Sequence, residues 1–346
     1  MKYLLPLIAV AGLLGCNSST DIQSSPSIAL QLDCLIDENI LIVGNSADAS
    51  ALLRTVQSAS KKFENTFGVS AGKTVIVPGG KISADQHAEF EKAGYLLSLP
   101  WISAADKARL TESSIRRQIE EQTKDLPENV RKAALTKALS AIQSKDPAEA
   151  DDSTQAGALA HELGHLWFIE AFKPADAKAQ KGHAYGGWAP DCLDETAAIL
   201  MENSVLIESR KKAFKEMPDD ELFPLKTFLS MEHPAAQNAK RVTQQFTRNL
   251  NQGESRAMVL TGAEAEAFLK ASGGSKAANF YSQALAFSDF MLSYSGEAGL
   301  YPSLANALIA GGTFETWLSS DGSDWGLPSS LKQLDQDWQN WVRLQR

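Results

Sequence analysis

Two histidines with a glutamate between them stand close together at His161-Glu162-Leu163-Gly164-His165, an HExxH motif. On a helix, side chains four residues apart project from one face one turn apart, so both imidazoles can address a single atom. The flanking residues Ala158, Leu159, Ala160, Leu166, Trp167, Phe168, Ile169 and Phe172 are apolar, which marks a buried helix. Adjacent polar side chains in such a helix are costly unless something compensates them. One compensation is ordinary hydrogen bonding of two core histidines. The other is a zinc ion held by His161 and His165, with Glu162 able to reach a water on the same metal. The chain has only five histidines, so the pair is not a by-product of a histidine-rich composition, and the spacing favours the metal.

The elements that must position these groups can be read outward from the motif. Asp151, Asp152, Ser153 and Thr154 form an acidic, capping start, and Lys173-Pro174 forms a basic, helix-breaking stop. Lys145 to Thr154 is an acidic connector into this helix. Lys173 to Pro190 is a glycine-rich loop carrying His183, Tyr185 and Trp188, side chains able to face a cleft. A second helix is predicted from Asp191 to about Lys212, with Pro190 at its start and an acidic first turn. It offers Asp191, Cys192, Asp194, Glu195 and Glu202 as further ligands. Glu195 shares a face with Cys192, Ala198, Ile199 and Glu202, a small-residue face that permits close helix packing. Asp194 lies about 100° away, so geometry alone only weakly disfavours it. Glu202, roughly 10 Å further along, suits a hydrogen bond to a ligating histidine.

Upstream, Ile28 to Val43 holds two apolar bursts around Asp37-Glu38-Asn39, followed by a helical pattern from Ala47 to Phe67. Strands are predicted at Lys73 to Pro78 and at Ala93 to Leu99. An exposed strand of this kind can pair with an extended peptide, and the sequence does not say which would. Asp106 to about Gln143 reads as a solvated helical pair interrupted at Leu126-Pro127. Downstream the chain is mostly helical, with an apolar helix at Phe280 to Ser293 and an amphipathic one at Leu331 to Leu344. His87 and His233 read as structural or exposed. Tyr281, His183 and Tyr185 remain open as stabilisers of a transition state.

Composition narrows the partners. The net charge of −9, without a dense Lys/Arg patch, gives no reason to expect nucleic acid. Met1 to Cys16 has a basic start at Lys2, a short apolar run from Leu4 to Leu14, and the ending Leu13-Leu14-Gly15-Cys16. That run is a secretory signal too short to span a bilayer. Residues 16–27 are a polar tether, and Cys34 and Cys192, left in an oxidising compartment, are expected to form a disulfide, the alternative being that Cys192 is a small buried apolar residue.

His161-Glu162-x-x-His165 followed by Pro190-Asp-Cys-Leu-Asp-Glu195-Thr-Ala-Ala198 resembles the gluzincin metallopeptidases. The chain keeps Pro190, Leu193, Glu195 and Ala198 of that pattern, with Cys192 and Thr196 where Trp and Gly are common. Phe280 to Trp341 also looks like the helical tail of small bacterial members. The resemblance covers roughly residues 150–345. It implies Glu195 as third zinc ligand, one Zn2+ per chain, Glu162 as general base and a peptide or protein substrate. It further implies an α+β, predominantly helical fold with a small sheet beside the metal-binding helix. The ending at Cys16 resembles a bacterial lipobox, implying a lipid on Cys16, and Asn17 after it points to the outer membrane of a Gram-negative cell. The expected organisation is a signal over 1–15, a tether over 16–27, an N-terminal α/β region over 28–153 and a zinc-binding helical region over 154–346. A non-catalytic envelope binding or scaffolding lipoprotein with a retained zinc site is the rival. An intact Glu162 argues against it, because a structural site needs no base there.

Overall fold

The computed structural model describes residues 17–18, 34–43, 49–78, 84–95, 97–102, 104–143, 152–174, 188–234 and 274–346. The signal segment, Cys16, the rest of the tether, His183 and Tyr185 lie outside them. The chain is mostly helical with a small sheet. It divides into two compact units, Met1–Gln57 with Gly72–Glu149, and Ser58–Ala71 with Ala150–Arg346.

In the first unit, β-branched apolar runs form the sheet. Strand β2 (Cys34–Asp37) turns at Glu38, whose φ of 42° is left-handed, into antiparallel β3 (Ile40–Val43). Strands β4 (Thr74–Pro78) and β5 (Leu97–Trp101) follow in parallel, and the two-residue β1 (Asn17–Ser18) pairs with β2. The order is β1-β2-β3-β4-β5. Leu41, Val43, Val75 and Val77 point to one side, where Phe90 and Tyr95 close a core. Phe90 belongs to α2 (Ala84–Lys92), a helix the sequence did not announce. The expected strand at Ala93 to Leu99 begins only at Leu97, because Ala93-Gly94 forms a turn with Gly94 at φ 84°. It then runs through Pro100, which is tolerated because β5 is an edge. Helices α3 (Ala104–Thr123) and α4 (Glu128–Gln143) break at Leu126-Pro127 as expected.

The long helix α1 (Ala49–Phe67) contributes its part from Ser58 onward, about three turns, to the second unit. There Phe63 packs on Trp167 and Phe67 on Phe168, with ring centroids 5.6 and 5.4 Å apart. Trp167 and Phe168 lie on α5 (Asp152–Ala171), the helix that carries the HExxH residues. The partner of α5 is α6 (Asp191–Met201), which also packs on α9 (Gly274–Ser295). Trp338 of the terminal helix Leu331–Gln345 joins Phe214, Phe287 and Phe290 in the aromatic core behind α9. Among the described residues no helix is long and apolar enough to cross a membrane.

Two expectations are corrected here. The single helix read from Asp191 to Lys212 is two, α6 and α7 (Ser204–Glu216). Asn203 causes the break: its Oδ1 accepts the Leu206 backbone N–H at 3.2 Å, an N-cap that starts a new helix. Its Nδ2 also donates to the Ser153 carbonyl at 2.6 Å, tying the break to the start of α5. The second correction concerns the cysteines. Cys192 is a free, buried thiol, pushed up to about 12 by burial, so it does not pair with Cys34. Cys34 is disulfide-bonded, but not to Cys192.

The α5–α6 contact hinges on Gly164, inside the motif. A Cβ there would stand 2.6 Å from the Ala198 Cα and 3.1 Å from the Ala197 carbonyl, both backbone atoms that cannot swing aside. Gly164→Ala is therefore expected to destabilise the fold by about 1–3 kcal/mol through overpacking. Urea unfolding measures this, and an unchanged midpoint would show that the helices can separate at no cost.

Candidate metal centre

Because α5 and α6 approach so closely, the polar groups on their facing sides meet in the core. His161 and His165 turn their Nε2 atoms toward each other, 3.2 Å apart. Glu195 Oε2 completes a triangle, 3.5 Å from His161 Nε2 and 3.7 Å from His165 Nε2. Tetrahedral ligands at about 2.0–2.1 Å from a metal are separated from one another by about 3.3–3.4 Å. The three donor atoms thus have the spacing of ligands around a shared ion, and this buried cluster could hold a metal.

Glu195 supplies the strongest sign that something belongs there. Its side chain is fully buried, and neither carboxylate oxygen makes a hydrogen bond among the described residues. A bare carboxylate in the core is expensive. Burial first, and the nearby Asp194 and Glu162 carboxylates, push its acid up to about 8 despite the lowering influence of His165 and Arg210.

Each imidazole is gripped from behind. His161 Nδ1 donates to Glu202 Oε1 at 2.8 Å, and His165 Nδ1 stands 3.0 Å from Asp194 Oδ1. A carboxylate on Nδ1 fixes the ring orientation and leaves Nε2 as the ligand atom. Burial lowers the His161 pKa, and the Glu202 hydrogen bond only partly offsets it. At His165 burial acts in the same direction but is outweighed by Asp194, Glu195 and Glu162, which raise it to about 9. Glu202 is buried too, yet hydrogen bonds from His161 and Arg210 hold its carboxyl below the ordinary range.

The sequence placed His161, His165 and Glu195 correctly in one cluster, and the structure gives Glu202 the hydrogen bond to a histidine that its position suggested. Glu202 stands just past the end of α6, at ψ 156°, and its carboxylate reaches His161. Asp194, weighed only as a rival ligand, instead has Oδ1 3.0 Å from Nδ1 of His165. His233 was also underrated. It is fully buried, with Nε2 3.6 Å from Glu195 Oε1 and its backbone N–H on Asp191 Oδ2 at 2.6 Å. Burial, with the charges of His165 and His161, lowers its pKa to about 4. Tyr281 lies beside both, its ring 5.7 Å from that of His161 and 5.0 Å from that of His233. Glu162 is half-buried, near enough for its charge to act on His165 and Glu195.

No family model matches this chain, and no curated protein or solved structure matches it significantly. Function must therefore be read from the geometry.

If Glu195 is a ligand and Asp194 and Glu202 orient ligands, alanine at 195 is expected to weaken Zn2+ binding most. Alanine at 194 or 202 is expected to cost about 10–100-fold each. Competition with a chromophoric chelator gives the ranking, and a larger loss at 194 than at 195 would reverse the two roles.

Proposed function

We propose that this chain is a zinc-dependent metallopeptidase of the gluzincin type, with His161, His165 and Glu195 holding the ion and Glu162 as general base. The observation that carries the reading is the buried, hydrogen-bond-free Glu195 carboxylate facing two imidazole nitrogens, with Glu162 half-buried on the same helix. Zinc fits a site of two histidines and one carboxylate, a ligand set typical of catalytic centres. When bound, the ion supplies Lewis-acid activation of water and of the scissile carbonyl. Glu162 takes the proton from the attacking water and delivers it to the leaving amine. Asp194 and Glu202 keep the two imidazoles turned inward through that cycle. The order HExxH and then a glutamate 30 residues beyond His165 supports the same family reading.

Glu162→Gln is expected to leave zinc stoichiometry near one per chain and to abolish hydrolysis of a broad peptide library. The amide keeps the shape but cannot accept the proton. Retained turnover in that variant removes Glu162 from the mechanism.

The proposed location is the cell envelope, with lipid on Cys16 as the membrane anchor, on the strength of Met1 to Cys16. Cys16→Ser is expected to abolish detergent-phase partitioning or leave uncleaved precursor. A mature N-terminal peptide whose mass shows Cys16 without lipid would end the anchor proposal.

A further inference from the structure

The support behind His161 continues one residue deeper than Glu202. Arg210, two turns into α7, addresses Glu202 with two nitrogens: Nε donates to Oε2 at 2.6 Å and Nη2 donates to Oε1. Oε1 is the same atom that accepts from His161 Nδ1. The Glu202 side chain is fully buried and that of Arg210 is 18% exposed. Arg210 is itself fixed on a second side, its guanidinium carbon 4.6 Å over the ring of Tyr281, which lies edge-on to His161. The backbone of Glu202 is held separately, its carbonyl accepting from Lys62 Nζ at 2.7 Å. A carboxylate free to rotate could offer Nδ1 either oxygen, or neither. One clamped at both oxygens offers a single geometry.

We propose that Arg210 is the positioning residue of the metal centre, its guanidinium fork orienting Glu202 so that Glu202 sets the tautomer and tilt of His161. The inference rests on the metal-site reading above and adds a residue that touches neither metal nor substrate. The two histidines are then held unequally. His165 relies on Asp194, with which no Lys or Arg side chain is paired among the described residues. His161 relies on a carboxylate that is itself locked. A lysine at 210 would keep the charge but lose the planar fork, because an ammonium cannot donate to both oxygens in that geometry.

The test uses the full mature chain with Zn2+ as probe. Arg210→Met is expected to weaken zinc binding about 10–100-fold, and Arg210→Lys to recover only a small part of that. The His161 Nδ1–H proton resonance should shift or broaden in both variants, while that of His165 stays in place. In double variants, Arg210→Met with Glu202→Gln should cost no more than the worse single change, whereas Arg210→Met with Asp194→Asn should be additive. Lys211→Met, one residue away and with no contact to Glu202, serves as the control for helix α7. Wild-type affinity in Arg210→Lys, an undisturbed His161 resonance, or additivity with Glu202→Gln would each overturn the proposal. Arg210→Lys keeps most of the packing, so it carries the test should Arg210→Met fail to fold. Failure of the wild-type chain to bind zinc is a separate outcome, and it removes the metal-site reading along with this one.

Discussion

The contact between α5 and α6 at Gly164 is the constraint on which the centre depends. One hydrogen in place of a methyl lets the Ala198 backbone come within van der Waals distance of the motif helix. Any bulkier residue would part the helices, and the triangle of Nε2, Nε2 and Oε2 has no slack to absorb that. Its sides are already 3.2, 3.5 and 3.7 Å. Apolar mass then holds the pair in place. Phe63 and Phe67 press on α5 from one side, and Ala197, Ala198 and Ile199 are fully buried on α6. Small residues set the distance, and large ones make it rigid.

The roles of the three carboxylates follow from where α6 puts them. Asp194 and Glu195 are adjacent, so their side chains diverge by about 100° around the helix. The longer Glu195 reaches the Nε2 edge of both imidazoles, while the shorter Asp194 meets only the Nδ1 edge of His165. Glu202 stands just past the last residue of α6 and Asn203 beside it opens α7; from that junction the Glu202 carboxylate accepts from His161 Nδ1 at 2.8 Å.

How much of this the sequence could disclose depended on how local each signal was. The histidine pair is a matter of helix period and was legible at once, as were the approximate ends of α5 and the α3–α4 break at Pro127. Glu195 was reached through its likeness to a known pattern, because a helix buried on nearly every side gives no apolar face from which to tell 194 from 195. Asn203 did carry a cap signal, masked by helix-forming residues on both sides. Arg210 and His233 had none. Their parts are assigned by packing against Glu202 and Tyr281, or against Glu195 and Phe280, residues tens of positions away in most cases. The failed Cys34–Cys192 pairing has the same origin, since a count of thiols does not know which segments meet.

The charge of the centre carries the metal argument one step beyond distance. Asp194, Glu195 and Glu202 are all buried, and burying a carboxylate is tolerable only with a compensating positive group. Glu202 has Arg210. Asp194 and Glu195 have no Lys or Arg partner among the described residues, so with neutral imidazoles they leave two negative charges in the core. Without an ion, protons must fill the gap, which is why His165 is raised to about 9 and Glu195 to about 8. A divalent cation held by His161, His165 and Glu195 would supply the same two charges at once and leave both Nε2 atoms and the carboxylate to act as ligands. The protons and the ion are alternatives for one deficit, and the deficit is written into the pairing of α5 with α6. A purely structural histidine pair would have no need to create it.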